Sequence, residues 1–463
     1  MGVNFSVFEI GRRALRAGQL GVAIAGQNIA NVNTPGYSRQ AIKLSADPPV
    51  QAYGQLVGTG VHIDGVKSFR DQFIAARLQT ETAINGRLTA QRDTLTPVET
   101  AFSELDGTGG INEGLQSFFG AFRRLEANPA STSLRTSVIE SGNVLASAFH
   151  TTRARLDAIR ISADEDVRGT VSLVNDLTEK VSALNGKIRL AESLGNNASD
   201  LVDQRAVYLR QVAELTGSRT IENPDNTVAV TLGDGRTLVS DGTATPLTIQ
   251  NAPPNGLAAI YIDGQPAVIS DGKLRGVQES LNEIGGYLQT LDDLAASVAG
   301  RVNTLHAAGT DLNGNAGAAF FVASNGGTIN AGTFDISAAL KTDARRVVAT
   351  PSGAGSGDGT VARKIANLLS DTTSVVGTQT DSFTNIYAVL VRSSGQALKT
   401  AEDDLVTQKA ILTQTEAQQA SVSGVSLDEE AINMLQYQKA YEAAARFLKV
   451  ADEMTQTILQ LGQ

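Results

Sequence analysis

Apolar and small residues recur at alternating spacings of three and four along both ends of the chain. From about Ser6 to Val32 the series is Phe8, Gly11, Leu15, Gly18, Val22, Ala25, Ile29 and Val32, a heptad stripe in which large and small positions alternate. Glycine costs up to about 1 kcal/mol of helix propensity, so Gly11 and Gly18 weaken an isolated helix while leaving room for a partner's side chains. From about Ser426 to Leu461 the same spacing returns in Tyr437, Ala440, Ala444, Phe447, Ala451, Met454, Ile458 and Leu461. Met434, Tyr441, Ala445 and Leu448 add a second stripe, and so wide an apolar face predicts more than one neighbour. Ser426 followed by Glu429 forms a capping box, with Asp428, Glu429 and Glu430 in the positive field of the first turn.

Between the ends, long stripes at Ile84–Leu105, Val167–Ile188 and Leu281–Leu305 predict a helical body, joined by a further helix from about Ser382 to Gln419. Helices of this length rise about 1.5 Å per residue and make an elongated bundle. The character changes over 218–275: Thr227 to Leu232 is β-prone and Asp-Gly pairs start at 234, 241, 263 and 271, each a hairpin signal. Smaller β pieces are expected near 41–66 and 328–350, and 353–359 is a glycine-rich loop. The fold class is therefore mainly α with inserted β. The terminal helices pair as a coiled coil (1–40 plus 422–463), a bundle fills 41–217 plus 276–421, and a small β domain occupies 218–275.

Composition narrows the function. With 463 residues the chain has room for roughly three domains. It has no cysteine, which removes disulfides, thiolate metal sites and cysteine nucleophiles. The 48 acidic against 38 basic residues, without a segregated basic patch, argue against a nucleic-acid partner. No run approaches the roughly 18 apolar residues of a membrane span, and no cleavable signal opens the chain, so a soluble protein is expected. Aromatics are only 5% and Gly numbers 45, which suits helices meeting at close approach through small side chains.

Tests for catalysis find no anchor. The 353–359 glycines are not followed by Gly-Lys-Ser/Thr, so they are no phosphate loop. Asp311–Asn315 resembles the start of a calcium loop, yet Ala316 and Val322 stand where glycine and glutamate are needed, and a surface turn is the expectation. His62, His150 and His306 form no close pair and read as surface or packing residues. Asp403-Asp404 and Glu429-Glu430 are sequence neighbours that point apart on a helix, as solvated or helix-start charges do. No catalytic residue, cofactor or metal is expected.

After the first helix comes Gln27-Asn28-Ile29-Ala30-Asn31-Val32-Asn33-Thr34-Pro35-Gly36-Tyr37-Ser38-Arg39-Gln40. The string resembles the N-terminal signature of flagellar rod, hook and hook-associated proteins. Pro35 presets φ and Gly36 tolerates φ > 0, so Asn31, Asn33, Thr34, Pro35, Gly36 and Tyr37 read as a turn motif redirecting the chain. The strings 425–430, 435–441 and 451–454 resemble the matching C-terminal end. Asp200-Leu201-Val202-Asp203-Gln204-Arg205 and His306 to Phe321 resemble the interior of the hook-associated protein 1 family.

The resemblance implies a non-enzymatic axial subunit at the hook–filament junction, exported through the flagellar type III system to the outside of the cell. It implies termini that order only on polymerisation, and as partners other copies of itself, the hook protein, the second hook-associated protein and an export chaperone. Neither nucleic acid nor membrane is expected. The assembly interface is expected at Phe8, Leu15, Val22 and Ile29 facing Phe447, Met454, Ile458 and Leu461, with Tyr437 in the same stripe. Other readings are a hook, distal-rod or second hook-associated subunit, a secreted cell-wall hydrolase with axial-type ends, and a free adhesin or effector.

Overall fold

The computed structural model describes residues 2–52, 55–102, 110–252 and 256–461. Leu105 of the first body stripe and the side chain of Leu461 fall outside the described residues.

The chain opens with α1 (Gly2–Ala30), then a β excursion of β1 (Gln40–Ala46), β2 (Val50–Ala52), β3 (Gln55–Val57) and β4 (Val61–Ser68). β1 pairs with β4 and β2 with β3, both antiparallel, so the excursion is one folded-back ribbon. The body follows with α2 (Gln72–Phe102), α3 (Ile111–Ala127), α4 (Thr132–Ser193) and α5 (Ser199–Thr216). After a β insert come α6 (Gly272–Ala307), the short α7 (Ala338–Thr342) and α8 (Thr360–Asn367), then α9 (Phe383–Ser423) and α10 (Leu427–Leu461). Among the described residues no helix is long and apolar enough to cross a membrane.

α4 spans 62 residues and is capped by the Ser131 hydroxyl, which accepts from the Leu134 amide at 3.3 Å. The sequence pattern shows only its second half, because the buried positions 138–156 include alanine, glycine and threonine that carry little periodic signal. α9 starts as expected at Ser382, whose hydroxyl accepts from the Asn385 amide at 3.3 Å.

Two large apolar cores hold the body, with a small third one at Leu184, Ile188 and Ala198. One gathers Phe118, Phe119, Phe122, Phe149, Phe320, Phe321, Phe334 and Phe383, all essentially inaccessible, with Leu291, Val298 and Val302 of α6. Each buried side chain of this size contributes about 1.5–3 kcal/mol of transfer free energy. His306 sits in this region, fully buried: Nδ1 lies 2.6 Å from the Ala318 carbonyl and Nε2 accepts from the Val348 amide at 2.9 Å. Burial pushes its pKa down to about 4, so the ring is neutral, with the proton on Nδ1.

The second core joins Val167, Val171, Val174, Leu177 and Val181 of α4 to Val228, Val230, Leu238, Val239, Leu247, Ile260 and Ile262 of the insert. The insert therefore shares its core with the bundle. Its strands are β5 (Arg219–Glu222), β6 (Val228–Thr231), β7 (Thr237–Ser240) and β8 (Thr243–Ala244), then β9 (Leu247–Ala252), β10 (Leu257–Ile262) and β11 (Gln265–Pro266). They form antiparallel sheets of four and three strands. Asp241-Gly242 and Asp263-Gly264 take positive φ at both residues, as a tight hairpin turn requires. Asp271-Gly272, expected as a fourth hairpin, is the start of α6: the Asp271 carboxylate accepts from the Gly272 amide at 2.9 Å. Asp311–Asn315 is a turn in which the Asp311 carboxylate accepts from the Asn313 and Asn315 amides, each at 2.8 Å.

Candidate functional site: the joint of the terminal helices

α1 and α10 run antiparallel. Gly11 lies against Leu448, Gly18 against Tyr441, Gly21 against Tyr437 and Gly26 against Met434, so numbers rise on one helix as they fall on the other. A Cβ at Gly11 would stand 2.5 Å from Leu448 Cδ2, and one at Gly21 would stand 2.4 Å from the Tyr437 ring. These glycines are the holes that receive the knobs of α10.

The seam differs from the one read in the sequence. Phe8, Leu15, Val22 and Ile29 are half-buried on α1, and Tyr437 is half-buried in the seam. The α10 residues that meet α1 come from both stripes: Met434, Tyr441 and Leu448 of the second and Tyr437 of the first, with Ala444 and Ala451 of the first buried beside them. Phe447, Met454 and Ile458 remain 43%, 61% and 54% exposed, and only the edge of the Phe447 ring reaches Gly11. The physical reason is that α1 offers glycine at the contact, and glycine accommodates whichever large α10 residues fall opposite it, from either stripe. The pair closes within a single chain.

At its base the pair meets the body through a polar joint. Asn28 is fully buried. Its Nδ2 donates to the Gln40 carbonyl at 2.8 Å and to Glu430 Oε2 at 2.9 Å, while its Oδ1 accepts from Tyr37 Oη at 2.8 Å and from the Gln40 amide at 3.0 Å. All four hydrogen-bonding positions of one side-chain amide are thus used. Glu430, read in the sequence as a helix-start charge, is only 2% exposed and also accepts from Arg39 Nε at 2.7 Å. The Arg39 guanidinium stacks over Phe69 at 5.4 Å.

The turn between α1 and β1 is built for this joint. The Thr34 amide donates to the Asn31 carbonyl at 2.9 Å and the Tyr37 amide to the Thr34 carbonyl at 3.2 Å. Gly36 has φ +79° behind Pro35, the combination a type II turn demands, and a Cβ there would stand 2.4 Å from Val207 of α5. The turn is therefore pressed directly onto α5. Asn33 and Pro35 are exposed.

The α5 string supplies the receiving surface. Asp200 accepts from Gln40 Nε2 at 2.8 Å and from Gln27 Nε2 at 3.1 Å. Asp203 accepts from the Ser38 amide at 2.9 Å and from Arg70 at 2.6 Å. Burial raises the Asp203 pKa despite the opposing pull of Arg70 and Ser38. Burial, with Asp200, Asp203 and Glu430 nearby, pushes Tyr37 up to about 12, so its hydroxyl stays a donor. Arg205 reaches the other way, to Asn185 Oδ1 at 2.8 Å and the Asn226 carbonyl at 2.7 Å, and burial lowers it to about 10. One string on α5 thus ties the terminal pair, the body and the β insert together.

The strings are recognisable in the sequence but their meeting is not, and Asn28, Arg39, Gln40, Arg70, Asp200, Asp203 and Glu430 emerge as contact residues only in the fold. The available signal was polar residues packed into otherwise apolar helix ends. The joint links side chains to one another and presents no open acid–base pair. Among the described residues no group of three His, Cys, Asp or Glu is placed to hold a metal ion.

Residues 95–321 match the family model described as the flagellar hook-associated protein FlgK helical domain. Residues 417–461 match the flagellar basal body rod FlgEFG protein C-terminal model, and 8–37 the flagella basal body rod protein model. Flagellar hook-associated protein 1 of Bacillus subtilis is 27% identical, covering 99% of this chain and 98% of its own length. The Escherichia coli protein of the same name is 25% identical over 96% and 98% respectively. The flagellar hook junction protein FlgK of Burkholderia pseudomallei shares the fold, with a TM-score of 0.67 and 15% identity over 75% of this chain and all of its own. Matched at its body, at both terminal helices and over nearly its whole length, the chain belongs to the hook-associated protein 1 (FlgK) family of axial flagellar proteins.

Proposed function

We propose that the chain is a structural subunit joining hook to filament, polymerising through its terminal helix pair and leaving the cell by the flagellar export route. Its partners are further copies of itself, the hook protein, the second hook-associated protein and an export chaperone, and it has no catalytic step. The division into a terminal pair (1–40 plus 422–463), a body (41–217 plus 276–421) and a β insert (218–275) follows the polar joint and the insert's sheets.

One observation carries this reading. α10 leaves an apolar stripe of Phe447, Val450, Met454 and Ile458 exposed beside its glycine-lined seam, with only the edge of Phe447 touching it. Successive steps of three and four keep these residues on one face, beside Ala440 and Ala443. Burying such a face returns about 25 cal/mol per Å². A subunit whose internal seam is already closed has this face left for its neighbours, with Phe8, Leu15, Val22, Ile29 and Tyr437 shaping the pair that presents it.

The test is Phe447→Asp with Met454→Asp in flagellated cells lacking the native gene. The variant should melt like the parent, since both positions are exposed, yet fail to appear at the hook–filament boundary and fail to retain filaments. Normal incorporation would refute the reading. The hydrolase alternative predicts lysis of cell-wall material in a gel, and the adhesin alternative predicts secretion without incorporation.

A further inference from the structure

An open cleft of about 460 Å³ lies where α5 meets the start of α2, strand β5 and the end of α9, with Gly36 and Ser38 of the turn on its wall. Pockets of about 300–1,000 Å³ are the size that takes small molecules. Part of the lining is apolar: Ile74, Val202, Val207 and Val422 contribute to it. Phe73 also lines the cleft and is 87% exposed, the barest large apolar side chain among the described residues. An aromatic ring held in water at the mouth of a cleft is a surface for an apolar group.

The polar part of the lining holds more donors than acceptors. Three guanidinium groups border the cleft, from Arg70, Arg205 and Arg210. Arg70 is engaged: it donates to Asp203 at 2.6 Å and to Ser38 Oγ at 3.3 Å. Arg205 is only 3% exposed, and both of its hydrogen bonds leave from Nη1, to Asn185 of α4 and to the Asn226 carbonyl of the insert. Its Nε is buried without a partner. Arg210 makes no side-chain hydrogen bond or ion pair among the described residues. The carboxylates in the same lining are already committed. Asp71 accepts from the Phe73 and Ile74 amides at 2.8 and 3.1 Å, and Glu222 accepts from Gln72. Electrostatics point the same way: burial and the neighbouring Arg70 charge lower Arg205 to about 10, outweighing the pull of Glu222, Glu192 and Asp225. A buried cation short of acceptors is stabilised by an anion brought to it.

We propose that this cleft binds a small organic anion, its carboxylate received by the Nε–Nη2 edge of Arg205 and by Arg210, its apolar part resting on Ile74, Val207 and Phe73. Once Nη1 is spent, that edge is the one left, and two parallel N–H groups match the two oxygens of a carboxylate. The occupant touches the turn and α5 together, so it binds the docked joint and stabilises it by mass action. The site is independent of the assembly role argued above.

The test uses the purified full chain with three probes: phenylacetate, phenylacetamide, which lacks the charge, and acetate, which lacks the ring. Isothermal titration calorimetry should show one phenylacetate site per chain, with the other two probes about tenfold weaker or worse. Arg205→Lys keeps the charge but loses the two-pronged edge, and should weaken phenylacetate binding. Because Arg205 also holds the insert, two variants outside that contact accompany it. Arg210→Gln and Phe73→Ala should melt like the parent and bind phenylacetate about tenfold more weakly. No binding of phenylacetate, equally tight binding of phenylacetamide or acetate, or full affinity in both of these variants would overturn the proposal.

Discussion

Asn28 of α1 donates to Glu430 of α10 at 2.9 Å, joining positions 402 apart in the sequence. The bond is buried, and its two ends hold the turn, the ribbon and the last helix in register. An unmade bond at such a site costs more than a made one contributes, because the partner is left desolvated.

Replacing Asn28 by Ala strands the Tyr37 hydroxyl and the Gln40 amide and removes one donor from Glu430. The expected cost is roughly 2–4 kcal/mol at the joint. Trypsin should then cut faster at Arg12, Arg13 and Arg16, while the thermal transition of the body stays in place. Unchanged cleavage would show that the joint does not hold α1.

Gly11→Ala, Gly18→Ala and Gly21→Ala together raise intrinsic helix propensity by up to about 1 kcal/mol each. They should nonetheless separate α1 from α10, because each new Cβ meets a side chain of the opposing helix at 2.5, 3.1 and 2.4 Å respectively. Amide exchange in 427–461 should accelerate with little loss of helix content by circular dichroism.

Gly36→Ala combines left-handed backbone strain of roughly 1–2 kcal/mol with a clash on Val207. The turn should lift from α5, lowering the protection of the Ser38 amide, which otherwise donates to Asp203. A substitution at exposed Pro35 should have a much smaller effect in the same exchange measurement.

His306 makes the body sensitive to acid. The native ring stays neutral with a pKa of about 4, whereas the unfolded side chain titrates near 6.5. Below 6.5 the unfolded chain binds a proton the native one refuses. The stabilisation is therefore complete above pH 6.5 and drains away as pH falls towards 4, about 3 kcal/mol in all. Urea midpoints at pH 7 and pH 4.5 should show the drop, and His306→Gln should reduce its size.

The long stripes of α6 and the second half of α4 were legible because Leu, Ile and Val mark every turn. The terminal pairing was legible too, but its face was not: spacing locates two stripes on α10, and only the α1 glycines show that the seam draws on both of them. The polar joint was hidden for another reason. Asn28, Asp203 and Glu430 each look like ordinary surface residues, and what buries them is the arrival of a segment over a hundred residues away. Asp271-Gly272 shows the limit of local signals, since the same dipeptide that turns a hairpin at 263 caps a helix here.

Because the foot of the molecule is made from α1 and α10, it cannot be completed until both helices exist. A chain cut short before Leu427 would expose the holes of α1 and leave Arg39 and Asn28 without Glu430. Losing α10 would therefore unmake the polar joint together with the helix pair, leaving α1 without either support.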